Sequence, residues 1–388
     1  MIIKIKMNEK MRKLVYGAAL LLGLTFATTS CGDDDNSKVT PDQPQTAKDL
    51  DCTQSNVSSW GNYMRIVASL LADDASDLYE DWNTKYENGD SYANFFKGQD
   101  ALRSVEQLID GCSDIANEVG TAKIGDPYDL YVKGDTEKAL YAVESWYSWH
   151  SREDYRNNIY SIRNAYYGSR DGKISEASLS KAVAAVNADL DAKVKEAIDA
   201  AAAAIWAIPS PFRNNINSAE AQKAMEACAS LDEVLTNSLK AGVQTIDKQV
   251  LKAVVVNYVD VVVLPTYNDL KTRNAALLET VKAFQSAPSS SNFEKCAEAW
   301  LSAREPWETS EAFLFGPVAD KGLDPNMDSW PLDQDGIVQV LTSGKYDELN
   351  WDGDFDEDND AIAKAQSLRG FHTLEYLIFK DGQARKLQ

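Results

Sequence analysis

The residues best placed to do chemistry lie near the C-terminus, where Arg369-Gly370-Phe371-His372-Thr373-Leu374-Glu375 holds a Gly-x-His-x-x-Glu motif in an apolar stretch. The chain has only two histidines, so a histidine in this setting is informative. On a helix, residues three apart project from one face, and the His372 imidazole and Glu375 carboxylate then converge on one point. That is half of a metal site. The same spacing also suits a buried histidine hydrogen-bonded to a carboxylate one turn away. Upstream, Arg304, Glu308 and Glu311 recur at spacings of four and three among Trp300, Trp307, Phe313 and Phe315. An exposed ladder of such charges would contribute roughly a few tenths of a kcal/mol. The aromatic surroundings point instead to partial burial, where charges need partners or a ligand.

A zinc peptidase built on a helix needs His-Glu-x-x-His or its inverse His-x-x-Glu-His. Tyr376 stands where the inverse motif requires its second histidine, and only His150, far away in sequence, could complete a set. No Ser-His or Cys-His pair lies near a nucleophile signature. Ser145, Trp146, Tyr147, Ser148, Trp149, His150, Ser151, Asp154, Asn157 and Asn158 form a polar and aromatic cluster on one expected helix. Such a face suits either sugar stacking or an inter-helix contact. Asp352, Asp354, Asp356, Asp358 and Asp360 alternate through a loop, but Glu357 and Ala363 occupy the positions where a calcium loop of the EF-hand type needs glycine and glutamate. This run reads as a solvated acidic loop.

The elements that must position these residues are helical. Apolar residues recur at three-to-four spacing over Trp60 to Tyr86, Gln99 to Val119, Thr136 to Tyr167 and Lys181 to Ala207. Ser230-x-x-Glu233 and Ser291-x-x-Glu294 have the form of capping boxes. Val254 to Leu264 is rich enough in β-branched residues to suggest a strand, yet helical patterning flanks it, so a long helix interrupted near Pro265 is expected. With no strand supported by turn chemistry, the fold is all-α, and two up-and-down four-helix bundles are its simplest arrangement. The longest loops are expected at Gly316 to Met327 and Ser343 to Asn359. Cys52, Cys112, Cys228 and Cys296 fit no zinc spacing, and no more than one disulfide is expected.

The blocks Ala303 to Pro317, Trp330-Pro331-Leu332-Asp333 and Gly370-Phe371-His372-x-x-Glu375-Tyr376-Leu377-Ile378-Phe379, taken in that order, resemble the imelysin-like family. Family members continue after the histidine motif with a second helical half, whereas here only Lys380 to Gln388 follow. Asn117 to Gly120, Lys123-Ile124, Val143 to Ser145 and Asp154 to Tyr167 resemble that missing half, so the chain reads as a circular permutant. Its domains are then expected at 51–243, resembling the family's C-terminal half, and 244–388, resembling its N-terminal half. A permutation also requires the helices of Trp60 to Tyr86 and Ile362 to Phe379 to share one core.

The resemblance implies one pocket for Arg304, Glu308, Glu311, His372 and Glu375, in a cleft between the helical halves. Gly370, Trp330, Ser145, Ser148, Asp154 and Asn158 are expected around it, and Asp333 is placed either to cap the following helix or to orient the histidine. The function it implies is binding of a metal, haem or small polar ligand in iron or haem uptake. Imidazole and oxygen donors suit iron and zinc alike. A zinc-dependent metallopeptidase and a glycan-binding or interaction module are the alternatives.

Lys4, Lys6, Lys10, Arg12 and Lys13 precede an apolar run from Leu14 to Phe26 and then Thr28-Thr29-Ser30-Cys31. This is the pattern of a secretory signal ending in a relaxed lipobox, with Cys31 the lipidated residue. Residues 1–31 are thus read as the lipoprotein signal and 32–50 as a flexible tether. Gly32-Asp33-Asp34-Asp35 resembles an export signal to the outer face of the outer membrane, with a periplasm-facing anchor as the alternative. Outer-membrane uptake proteins are expected partners, and membrane contact is expected through the lipid only. The formal net charge of -21 becomes more negative once the basic leader is removed, which disfavours nucleic acid as a partner.

Overall fold

Why the long helices stop where they do decides where the site forms. The computed structural model describes residues 50–86, 89–351 and 353–388; the signal sequence, Cys31, the tether up to residue 49 and Asp352 lie outside them. The principal helices are α1 (Val57–Asn83), α2 (Ala101–Glu118), α3 (Ser151–Tyr167), α4 (Ala188–Ala207), α5 (Ala219–Glu233), α6 (Lys248–Asn257), α7 (Leu264–Ser286), α8 (Ser290–Glu308), α9 (Gln334–Ser343) and α10 (Gly370–Ile378). Helices α2, α3, α4 and α5 pack as one four-helix group, and α1, α7, α8 and α10 as another. A continuous apolar core runs through both.

Chain order and packing diverge at α1. It precedes the boundary expected at 243/244, yet its buried stripe of Trp60, Tyr63, Met64, Val67 and Leu71 packs with helices from beyond that boundary. Trp60 Nε1 donates to the Leu377 carbonyl at 2.8 Å and the Tyr63 hydroxyl to the Leu368 carbonyl at 2.7 Å. The first and last long helices therefore share a core. The first described residues and the C-terminal residue meet there too: Gln54 N donates to the Gln388 carbonyl at 3.1 Å, and Gln388 N to the Cys52 carbonyl at 3.0 Å.

Two expected helices are broken. The stretch from Thr136 to Tyr167 is helical only to Tyr141, turns through residues 142–150, and resumes as α3. Ser145 and Trp149 adopt left-handed backbone there, with φ of 52° and 62°, a conformation that side-chain-bearing residues hold only when the surroundings enforce it. The stretch from Lys181 to Ala207 is interrupted at Asn187, whose side chain accepts from Leu190 N and restarts the helix as α4. From Lys248 to Ser286 the helix is continuous, passing through a π-helical turn at Tyr258–Val263 just before Pro265. A proline has no N–H and its ring crowds the carbonyl four residues back, so the wider turn accommodates it. This helix is long and apolar enough to span a membrane, but Val254, Val255, Val259, Val262 and Val263 are buried in the core.

The expected capping boxes sit differently. Ser230 lies within α5 and its hydroxyl donates back to the Glu226 carbonyl, while Ser218 is the cap, accepting from Ala221 N. Helix α8 is capped by Ser289, two residues before Ser291. After α10 a two-residue hairpin, β1 (Phe379–Lys380) and β2 (Gln383–Ala384), turns at Asp381-Gly382, both with positive φ; Asp-Gly is a favoured hairpin turn that the helical reading passed over. Of the long loops, Gly316 to Met327 contains short helices at Pro317–Asp320 and Leu323–Asp328, while Ser343 to Asn359 holds one 3-10 turn, Tyr346–Leu349. Cys52, Cys112, Cys228 and Cys296 are all free and buried.

Candidate functional site

The motif folds as expected into helix α10, and His372 and Glu375 sit on one face of it. Glycine at 370 is required by geometry: its φ is +88°, and a Cβ would lie 2.5 Å from the Met327 carbonyl oxygen. That close approach brings the start of α10 against the Leu323–Asp328 helix. Glycine at 111 plays the same part on α2, where a Cβ would collide with the Ala312 carbonyl oxygen and push the Glu311 turn away.

His372 and Glu375 are both fully buried. Their side chains do not converge on an outside point. The Nδ1 nitrogen of His372 is 3.0 Å from Glu375 Oε2, and Ser148 donates from both its backbone N and its hydroxyl to Glu375 Oε1, each at 2.7 Å. Both oxygens of Glu375 are thus engaged, and its geometry is that of a residue orienting the imidazole. Nε2 faces the other way, 3.0 Å from Asp328 Oδ1 and 3.3 Å from Glu144 Oε1. The Trp330 ring closes over the imidazole edge-on, with centroids 4.9 Å apart.

Arg304 lies at the centre of the carboxylates. It pairs with Asp328, with Glu144 Oε1 at 2.8 Å and with Glu308 Oε1 at 2.7 Å, and its Nε is 3.6 Å from Asp154 Oδ2. Asn158 donates to Glu308 Oε2 at 2.6 Å, Ser145 donates its hydroxyl to Asp154 Oδ2 at 2.5 Å, and Trp307 donates to Asp328 Oδ2 at 2.6 Å. Lys123, carried by a π-helical turn at Val119–Lys123, reaches Glu144 Oε2 at 3.0 Å, Glu311 Oε1 at 3.7 Å and Glu118 Oε1 at 3.9 Å. Groups from α3 and the 142–150 turn therefore meet groups from α8 and α10, at the seam between the two helical groups.

Charge decides the protonation states. Burial and the nearby Arg304 charge oppose protonation of His372, but Asp328 and Glu144 outweigh them and hold it well above the ordinary histidine range. The 3.3 Å approach of Arg304 Nη2 to Nε2 is then two cations held by shared carboxylates rather than a hydrogen bond. Burial opposes ionisation of Glu144, yet Lys123 and the His372 hydrogen bond bring it down to about 2. Burial likewise opposes ionisation of Asp328, and Arg304 and His372 hold it below the usual carboxylate range. Elsewhere burial wins: it pushes Asp154 up to about 7 and Glu308 up to about 8 against the pull of Arg304. Glu311 rises well above its ordinary value for the same reason.

The structure thus brings together His372, Glu375, Arg304, Glu308, Asp154, Asn158, Ser145, Ser148 and Trp330, and links Glu311 to them through Lys123. Asp333 is not among them: it caps α9, accepting from Gly336 N at 2.9 Å. His150 is partly buried before α3, its Nε2 3.9 Å from Asp154 Oδ1. In place of the expected cleft is a closed seam, in which Arg304, Lys123 and His372 meet the ionised Glu144 and Asp328. Sequence reasoning missed Asp328 and gave Glu144 and Lys123 no role in the site. Glu144 and Lys123 stand in blocks already noted for resemblance, but Asp328 ends a short helix inside an expected loop and carries no spacing signal.

His372, Glu144 and Asp328 each offer one donor atom within 4.8 Å of the others, and Glu308, Glu311 and Asp328 form a second such group. Asp154 Oδ1 and Asn158 Oδ1 are buried acceptors without a hydrogen-bond partner. Burial of such oxygens is costly unless an ion, a proton or water completes them.

Comparison with known proteins gives consistent matches. The imelysin family model matches residues 33–238 and 263–388. A crystal structure of an imelysin peptidase from Bacteroides ovatus is 55% identical, with a TM-score of 0.86, over 89% of this chain and 100% of that one. Iron-regulated protein A of Synechococcus elongatus is 29% identical over 153 residues, 39% of this chain and 34% of that protein. That alignment spans about a third of the relative's own length.

Proposed function

From its membership of the imelysin family, to which this chain belongs, we propose that it binds a metal ion or metal-bearing ligand at the seam between its helical groups, in the service of iron acquisition. One observation carries the reading: His372 Nε2, Glu144 Oε1 and Asp328 Oδ1 converge while Glu375 holds Nδ1 and aims the imidazole. A histidine whose far nitrogen is fixed by a carboxylate is the usual arrangement of a metal-ligating imidazole. The donor set fits a divalent or trivalent cation of the iron or zinc kind. Arg304 supplies the resident counter-charge, so cation binding requires it to withdraw towards Glu308 and Asp154 and requires His372 to release a proton. The iron-regulated relative supports iron as the cargo.

Binding is better supported than hydrolysis. A zinc peptidase keeps one coordination position open to substrate, whereas these donors are closed beneath Trp330 and Arg304. The same proposal includes the lipid anchor at Cys31, an outer-membrane location with uptake proteins as partners, and the rotated order of the family's halves. The backbone contact of Gln388 with Cys52, at the start of the helical region, supports that rotation.

The test is a titration of protein purified without a histidine tag, with ferrous, ferric and zinc ions, beside His372→Ala and Asp328→Asn. Stoichiometric binding lost in both variants is the expected result. Equal metal content in wild type and variants would overturn the proposal.

A further inference from the structure

On the outer face of α3, away from the buried seam, arginines and aromatic rings stack in an unbroken ladder. The Arg152 guanidinium lies 4.1 Å from the Trp206 ring centroid and Arg156 lies 4.6 Å from it. Arg156 is also 4.9 Å from the Tyr160 ring, and Arg163 is 4.0 Å from that same ring. These positions are spaced by four, four and three along the helix, so one face carries them all. Trp206 enters from α4 and is 43% exposed.

The ladder concentrates positive charge on a protein with a formal net charge of -21. Arg152 pairs with Glu153 and Arg163 donates to Asn164. Arg156 makes no hydrogen bond or ion pair among the described residues; its guanidinium is held only by two rings. Its Nε is buried without a partner, and a guanidinium held between two rings has lost much of its side-chain freedom already, so gripping an anion costs little further ordering.

We propose that this ladder binds a short acidic oligosaccharide, its carboxylate, sulfate or phosphate groups on Arg156 and Arg163 and a sugar face against the exposed edge of Trp206. This goes beyond the metal-binding reading and does not depend on it. Two features select the ligand. Guanidinium groups that suit an anion stand beside a partly exposed indole that suits an apolar sugar face. The surrounding charge is negative and is screened beyond about 8 Å at physiological salt, so a short anion that stays on the ladder meets less of it than an extended one. An extended anionic membrane would face the whole acidic surface.

The experiment is calorimetric titration of the full chain with a uronic-acid hexasaccharide, a neutral glucan of equal length and vesicles containing anionic lipid, repeated with Arg156→Gln and Trp206→Ala. Trp206 is exposed and Arg156 half-buried, and circular dichroism checks that the variants fold. The expected result is binding of the acidic sugar alone, weakened about tenfold or more in each variant, as loss of one charge-assisted or stacking contact implies. No binding of the acidic sugar by wild type, equal binding of the neutral glucan, binding to the vesicles alone, or unchanged affinity in Arg156→Gln would each overturn the proposal.

Discussion

At the scale of single residues, Arg304 is the group on which the seam depends. It is fully buried and its charge is answered by Asp328 and Glu144, with Glu308 and Asp154, which burial biases towards the protonated form, beside it. Replacing it with methionine keeps much of the volume and strands those carboxylates. Removing one partner of a buried ion pair costs about 3 to 5 kcal/mol, so Arg304→Met is expected to lower the urea midpoint accordingly; an unaltered midpoint would show that protons or water replace the guanidinium. The titrating carboxyls set the pH dependence. Glu308 rises from 4.5 to about 8 and Asp154 from 3.8 to about 7, so between those values the folded protein holds protons that the unfolded chain has released, and stability falls as pH rises. The raised His372 adds stability below its unfolded value near 6.5 that is lost as pH climbs through its folded one. Glu144, lowered from 4.5 to about 2, acts oppositely and loses its contribution as pH falls towards 2. Stability should therefore peak in mild acid and decline to either side, and Glu308→Gln should flatten the alkaline limb in unfolding measured across pH. A midpoint that rises between neutrality and about pH 8 would contradict these assignments.

At the scale of elements, the close contact at Gly370 is what places the histidine. Alanine there meets both a left-handed φ and the Met327 carbonyl, each unfavourable by about 1 kcal/mol or more. Gly370→Ala should lower the unfolding midpoint and weaken metal binding together; lost stability with intact binding would show that the Asp328 segment moves with α10. The same element explains what sequence could and could not reveal. The pairing of His372 with Glu375, and of Arg304 with Glu308, was legible because both lie within one helix, where spacing alone fixes which side chains meet. Glu144 was hidden because the period of Thr136 to Tyr167 runs on across 142–150, although the backbone turns there. Nothing local demands that turn: Ser148 donating to Glu375 and Ser151 donating to the Glu144 carbonyl are contacts between or around a turn that exists only once the chain is folded. Asp328 was hidden for the same reason, since its partners Arg304, Trp307 and His372 come from other elements.

At the scale of the whole molecule, the all-α fold and its two four-helix groups followed from apolar period and the near absence of strands, while the membership of α1 did not. Its stripe would suit either core, and only the partners Leu368 and Leu377 show which it takes. That assignment puts the segment before α1 beside the C-terminal residue, with Gln388 bonded to the backbone at Cys52 and Gln54. If the chain is a rotated version of its family's order, the contacts between the halves should not depend on which loop is open. A short glycine-serine linker from Gln388 to Asp51, with new ends between Gln244 and Thr245, restores the order the resemblance implies. Both residues at the new break are exposed, and the break falls in the short 3-10 turn Val243–Thr245, ahead of the Asp247 cap of α6. The permuted chain should be helical to the same degree, melt within a few degrees of wild type and keep its metal stoichiometry, since new ends at exposed positions between helices are commonly tolerated. Circular dichroism and metal titration of the two chains side by side make the comparison, and a permutant that collapses into an insoluble or partly folded state would tie this fold to its present chain order.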